Sequence, residues 1–434
     1  MSNLILFGIM FIFLVMMIVS KLFLNEENKH MYISVILLSL ISTISINMGI
    51  NQFIIERVEN LYIQLTFFIM IMIFLLTINY RIFAISLDNI ALIIILVQLF
   101  LAFKKGYINN EISFYQMVIL YTDIFLISII YKNIGNIKIN KVLELFNYIA
   151  IFNGILGILQ FITGKKLLLG IMNESIYYNQ GLISVKRVVG IAGTNNSGGD
   201  LGAILFCVTF FNYMRNRRKV DLYAVISSVI FTILTLTRIG YLSIIVQLII
   251  YFFISNWSTV REVIAKIKII LCTGIILGGI IFAFGNQIYD LLVVQRGNTA
   301  NSRITQFQRI DENILTDYDF YYGIGAGQYR YYSYYFLGYN EIEIHSQYLN
   351  VLVEQGGVIF IVFVIFNINI FIKAIRKCDD ILEKAFIAAL FIGNLICANY
   401  NPNQEYIVNN ILYYILMYLY FYKEKGRVVL KEET

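Results

Sequence analysis

"DLYAVISSVIFTILTLTRIGYLSIIVQLIIYFFIS" occupies residues 221–255 and carries a single basic residue, Arg238, near its middle. As one helix rising ~1.5 Å per residue it would run about 50 Å, far beyond the ~30 Å hydrocarbon core of a bilayer. Two minimal helices, 221–237 and 239–255, turning at "TLTRIG", fit that thickness. An arginine near hydrocarbon is costly and usually faces a polar cavity or a partner. The tight turn gives Arg238 little loop in which to reach water, which favours a cavity over a snorkelling side chain. The stretch therefore reads as a membrane hairpin with a cation at its tip.

The rest of the chain agrees. It has 434 residues, of which 59% are hydrophobic and 14% charged, and a mean hydropathy of +0.74. A soluble domain carries about 25% charged residues, so this chain lacks the polar groups to cover a globular surface. Apolar runs recur from end to end without the short alternating segments of an outer-membrane barrel. The expected fold is an all-α, polytopic membrane helical bundle of about 12–13 spans. These spans are placed near 3–20, 31–50, 61–79, 83–103, 112–131, 142–163, 197–214, 221–237, 239–255, 268–285, 356–373, 385–400 and 407–422. Residues 1–434 form one membrane domain, and 286–346 form a large loop with short helices. The first run, "LILFGIMFIFLVMMIVS" (4–20), has no basic leader and no small-residue cleavage site, and reads as a retained span.

Cations set the orientation. "RNRRK" (215–219), Lys132, Lys138, Lys141, Arg261, Lys266, Lys268, "IKAIRK" (372–377) and "KEKGR" (423–427) fall on one side when the loops are threaded alternately. The positive-inside rule makes that side cytoplasmic. The loop 164–190, the turn at Arg238 and the loop 286–346 are then extracytoplasmic. Lys186, Arg187, Arg238, Arg296, Arg303, Arg309 and Arg330 lie on the side that topology does not require to be basic. Of the four cysteines, Cys207, Cys272 and Cys397 lie in apolar runs and Cys378 in a basic loop, a pattern that supports neither a disulfide frame nor a zinc site. No nucleotide-binding glycine motif is present.

Four stretches could carry chemistry. "LISVKRVVGIAGTNNSGGDLGAILF" (182–206) brings Lys186 and Arg187 to a Gly/Asn-rich helix start, whose free N–H groups suit an anion. "LTLTRIGYLS" (234–243) presents Arg238. "NSRITQFQRIDENIL" (301–315) holds Arg303 and Arg309, six residues apart and on different faces of a helix. "DFYYGIGAGQYRYYSYYFLGYN" (319–340), which contains Arg330, combines glycines with tyrosines; their flat faces and polar tips suit either sugar rings or a membrane interface.

"EIEIHSQYLNVLVEQGG" (341–357) holds His345, one of two histidines in the chain. Asn340 and Glu343 resemble a capping box, which predicts a helix starting near Glu341. On that helix Glu341 would lie one turn before His345 and could orient the ring. Asp317/Asp319 and Glu341/Glu343, at i, i+2, point to different helix faces and argue against a two-carboxylate site.

Taken in order, these motifs resemble the O-antigen ligase and O-antigen and capsular polysaccharide polymerase superfamily of bacterial envelope enzymes. "RVVGIAGTNNSGG" is similar to its Arg–Gly–Asn segment, with Thr194-Asn195-Asn196 where Asn-Pro-Asn is usual. "LTLTRIGYLS" is similar to its Ser/Thr-Arg turn and "GIGAGQY" to its Gly-x-Gly loop. "HSQYLNVLVEQGGVIF" is similar to its His-Asn-x-Tyr-Leu…Glu-x-Gly segment, with Ser346 in place of Asn. The resemblance covers roughly residues 140–400.

The resemblance implies a glycosyltransferase that takes an undecaprenyl-pyrophosphate-linked oligosaccharide at the extracytoplasmic face of a bacterial cytoplasmic (inner) membrane. It points to His345, Arg187 and Arg238 as catalytic and to Arg303 as substrate-binding; the residues' own placement adds Lys186, Arg309, Arg330 and Glu341 as substrate-binding candidates. A polymerase joining repeat units is the leading expectation. A ligase moving the glycan to another acceptor and a lipid-linked oligosaccharide flippase are the alternatives. No cofactor or metal is expected. The expected partners are the lipid-linked glycan and the bilayer, with flippase and chain-length regulator proteins as further candidates and no nucleic acid.

Overall fold

The computed structural model describes residues 29–54, 57–77, 86–106, 111–135, 137–180, 183–254, 264, 299–339 and 343–424. Expectations for the spans at 3–20 and 268–285, for Arg296 and for Glu341 lie outside these residues. The described chain forms fourteen α-helices and two short antiparallel hairpins. The helices are α1 His30–Ser42, α2 Leu65–Thr77, α3 Leu87–Lys105, α4 Glu111–Ile134, α5 Ile139–Thr163, α6 Asn195–Asn216, α7 Lys219–Thr235 and α8 Arg238–Ile254. They continue with α9 Thr299–Asn313, α10 Tyr329–Tyr335, α11 Gln347–Gln355, α12 Gly357–Arg376, α13 Ile381–Tyr400 and α14 Ile407–Phe421. Strands β1 Ser45–Ile54 and β2 Arg57–Gln64 pair with each other, as do β3 Tyr177–Gln180 and β4 Ile183–Lys186.

Among the described residues five helices are long and apolar enough to cross a membrane: α3, α4 (from Ile112), α5, α12 and α13. The fold is an all-α, polytopic membrane bundle. The hairpin at "TLTRIG" is present. α7 ends at Thr235, Leu236 turns in the left-handed region (φ 51°), and α8 begins at Arg238.

Two expected spans are corrected. Residues 31–50 and 61–79 are not full-length helices: α1 stops at Ser42, the chain runs through β1 and β2, and α2 starts only at Leu65. Each of these helices has 13 residues, or ~20 Å, short of the bilayer core. The cause is local. Asn47, Asn51, Gln52, Glu59 and Asn60 favour a turn-rich hairpin, and the Asn47 side chain accepts from the N–H of Gly49 at 2.8 Å where Gly49 takes φ 74°.

α14 lies at the centre of the bundle, with every residue from Val408 to Phe421 buried. α6 packs against α5, α7, α8 and α13, and glycines set the closest approach. A Cβ at Gly199 would lie 2.4 Å from Thr237 Cβ, and one at Gly240 would lie 2.7 Å from the Gly199 carbonyl oxygen. Small residues let membrane helices approach this closely.

The loop 299–339 is folded. Ile310, Ile314, Ile324, Tyr329, Ile344 and Val353 form a small core of their own, and the Ile324 N–H donates to Val353 O at 3.0 Å. The loop is tied to the bundle where Gln98 on α3 donates to Tyr321 O at 2.7 Å.

Candidate active site

Arg187 follows β4 and is 4% exposed. Its Nε donates to Thr235 O at 3.0 Å, and a terminal nitrogen donates to Thr237 Oγ1 at 3.0 Å and to Asn196 Oδ1 at 3.2 Å. Thr237 in turn donates to Asn195 O at 3.1 Å. One guanidinium therefore joins the end of α7 to the first residues of α6 through threonine and asparagine oxygens. α5 holds the segment after Arg187: Gln160 Oε1 accepts from Val189 and Gly190 at 3.1 and 2.9 Å, and Asn153 Oδ1 accepts from Ile191 at 3.0 Å. Gly190 has φ 56°, and a Cβ there would lie 2.4 Å from Asn153 Oδ1, so only glycine fits.

Arg238 is the first residue of α8, directly after the Thr237 that Arg187 contacts. The starts of α6 and α8 meet here through Gly199 and Gly240. The start of α14 joins them, since Asn409 Nδ2 donates to Ser197 O at 2.9 Å. Three helix N-termini, each carrying partial positive charge, thus converge on the arginines. Cations placed there raise the local positive potential further, an arrangement suited to an anionic ligand.

Arg303 reaches this point from α9. Burial and the neighbouring Arg238 hold its guanidinium below the ordinary value. Beneath it, Asp200 on α6 is 1% exposed and accepts from Asn401 Nδ2 at 2.8 Å. Tyr406 is within hydrogen-bonding reach of Asn196 and electrostatic reach of both Asp200 and Arg303.

His345 completes the group. Its Nδ1 lies 3.0 Å from Glu343 O. A carbonyl can only accept, so Nδ1 carries the proton and Nε2 keeps its lone pair. Burial, then the charge of Arg303, lowers the imidazole below its usual value. Gln306 of α9 accepts from the His345 N–H at 3.4 Å. The expected helix start near Glu341 is corrected: α11 begins at Gln347, capped by Ser346 Oγ accepting from Leu349 N at 3.2 Å. His345 therefore sits in a bend just before the helix. The partner that orients its ring among the described residues is the Glu343 carbonyl.

The remaining expected residues go elsewhere. Lys186 donates to Phe161 O at 3.2 Å beside the rings of Phe161 and Tyr177. Arg309 lies over the Tyr339 ring at 3.8 Å, as its different helix face requires. Arg330 pairs with Glu343 at 3.6 Å. Arg187 and Arg238 thus meet at Thr237, and Arg303 links Arg238 to His345 electrostatically, while Lys186, Arg309 and Arg330 have these other partners.

Residues 222–364 match the O-antigen ligase family model. The match supports the O-antigen ligase and polymerase superfamily. The O-antigen ligase segment takes in Arg238, Arg303, Arg309, Arg330 and His345, and leaves Lys186 and Arg187 before it. It supports glycan transfer of the ligase or polymerase type by a multi-pass membrane protein. No curated protein matches the chain.

Sequence reasoning gave no role to Asn196 and Thr237, although both lie in its motifs, and missed Asp200, Asn401 and Tyr406. A signal for the last two exists: "ANYNPNQEYIVNN" (398–410) places the only proline of the chain among five asparagines between two apolar helices. Asn401, Asn403, Gln404, Asn409 and Asn410 are all buried. So polar a stretch between membrane helices must line something polar.

Proposed function

We propose that the chain is a polysaccharide polymerase that joins oligosaccharide repeat units carried on undecaprenyl pyrophosphate, at the outer face of a cytoplasmic membrane. The observation that carries this reading is the convergence of Arg187, Arg238 and Arg303 on one end of the bundle beside an imidazole whose Nε2 keeps its lone pair. A glycosyl pyrophosphate supplies its own leaving group. What it needs from the protein is positive charge where the departing diphosphate gathers electrons, and guanidinium forks match phosphate oxygens.

In this mechanism the acceptor hydroxyl gives its proton to His345 Nε2 as its oxygen bonds to the anomeric carbon of the donor. The bond from that carbon to the diphosphate oxygen breaks with inversion, and its electron pair leaves on the diphosphate, held by Arg187 and Arg238. Burial, and after it the charge of Arg303, favours the neutral imidazole, and Arg303 faces the same anion.

His345→Ala should leave the protein in the membrane and lower chain growth by ~10²–10³-fold or more. The measurement is the size distribution of surface glycan in a deletion strain carrying the variant. Polymer of normal length would remove the base role. In the plain deletion strain, single repeat units on the surface fit a polymerase, whereas accumulated lipid-linked polymer would replace this reading with ligation to another acceptor.

A further inference from the structure

The outer surface of the loop differs in kind from the lipid-facing wall of the bundle. On α3 the exposed large side chains are mostly aliphatic, including Leu87, Ile90, Ile94 and Val97. On α10 and the turn after it they are all aromatic: Tyr334, Tyr335, Phe336 and Tyr339, with Tyr335 59% and Phe336 56% exposed.

Inner rings hold these in place. Tyr335 stacks on the buried Tyr331 at 6.2 Å with planes 9° apart, and Tyr334 meets Tyr335 edge-on at 5.1 Å. Phe336 stacks on Tyr332 at 5.2 Å. The Arg309 guanidinium covers one face of Tyr339 at 3.8 Å, adding a planar donor at the rim. Rings held this way lose little freedom when a ligand arrives, which lowers the cost of binding.

A hydrocarbon tail needs no flat face and no hydroxyl. A sugar ring has a flat C–H face and a girdle of hydroxyls, which match flat rings with polar tips and a guanidinium edge. The patch is also fixed to the candidate site, because Arg330, on the same helix, pairs with Glu343 at 3.6 Å. Gln306 on the neighbouring α9 holds the His345 N–H.

We propose that Tyr334, Tyr335, Phe336, Tyr339 and Arg309 form a glycan-binding platform that holds the oligosaccharide as it is presented to His345. This rests on the glycan-transfer reading and adds to it the surface on which the saccharide lies.

The test uses the full-length protein in lipid nanodiscs, titrated with oligosaccharides cut from the surface polysaccharide of the cells that make it, with binding read by saturation-transfer NMR. Wild-type protein should bind. Tyr335→Ala combined with Phe336→Ala should weaken binding about tenfold, and Tyr335→Phe should stay within about threefold of wild type. A thermal melt checks that these exposed substitutions leave the fold intact. No binding to wild type, or equal binding to the double variant, overturns the proposal. Equal binding together with weaker attachment to anionic vesicles would instead mark the patch as a bilayer contact. His345→Ala separates the two readings: it should bind oligosaccharide normally and fail to elongate. Should it elongate, the base assignment falls while the binding result still decides the platform.

Discussion

At the scale of single residues, His345 and Arg303 act on each other. Burial and the Arg303 charge favour the neutral imidazole, which is the form able to accept a proton. The acid limb of activity should therefore lie below the ordinary histidine value of about 6.5. Arg303→Gln removes one of the two causes and should move that limb to higher pH. A pH–rate profile of both proteins checks this, and coincident limbs would remove the coupling.

Glu354 is a second case. Burial, reinforced by the nearby Glu343, pushes its carboxyl up to about 8, against the N–H groups of Gly327 and Tyr329 at 3.0 and 2.8 Å. A raised carboxyl binds its proton more tightly in the folded chain than in the unfolded one. Its contribution is complete below the ordinary 4.5 and is lost as pH rises towards 8. Thermal melting should show stability falling across that window, and Glu354→Gln should flatten the fall. A wild-type curve that is already flat would contradict this.

Charged and rare residues were the legible part of the site, since a cation on the unexpected side of a membrane or a lone imidazole stands out by type. Thr237, Asn196 and Tyr406 did not, because a neutral polar residue in a helix turn looks the same whether it holds an arginine or faces water.

At the scale of elements, length decided most of what the sequence revealed. Residues 221–255 are too long for one span, and the turn falls between Thr235 and Arg238 as thickness requires. The misread spans at 31–50 and 61–79 fail for the complementary reason. Averaged hydropathy hides asparagines spaced along an apolar run, and these terminate helices. The capping spacing of Asn340 and Glu343 predicts a helix through His345. The cap in use is Ser346, whose hydroxyl lies directly before the apolar face of α11.

The α6–α8 contact shows what a composition cannot. Gly199 and Gly240 are ordinary glycines in sequence, yet they let two helix starts meet under the arginines. Gly240→Ala would drive a Cβ to 2.7 Å from the Gly199 carbonyl oxygen. It should cost about 1–3 kcal/mol and lower elongation by spreading the helix starts. Thermal melting and the activity per folded molecule check this; unchanged values for both would show that the contact is not needed.

At the scale of the whole molecule, ion pairs staple one end of the bundle together. There Arg215 pairs with Glu383 at 3.0 Å, Arg218 with Glu144 and Asp221 at 2.7 and 3.0 Å, and Lys423 with Asp379 at 2.6 Å. Those contacts join α5, α6, α7, α13 and the chain beyond α14, and they act as staples. At the other end Arg187 is held by threonine and asparagine oxygens, and Arg303 stands against Arg238. Arg238 disfavours the charged form of its neighbour Arg303, and a polyanion bound beside both would relieve that repulsion. The measurement that bears on this most directly is binding of undecaprenyl pyrophosphate to the purified full-length protein, followed by native mass spectrometry. Wild type and His345→Ala should bind it equally, and Arg187→Gln or Arg238→Gln should each weaken it at least about tenfold. Equal affinity in all four proteins would contradict the assignment of these arginines to a lipid diphosphate.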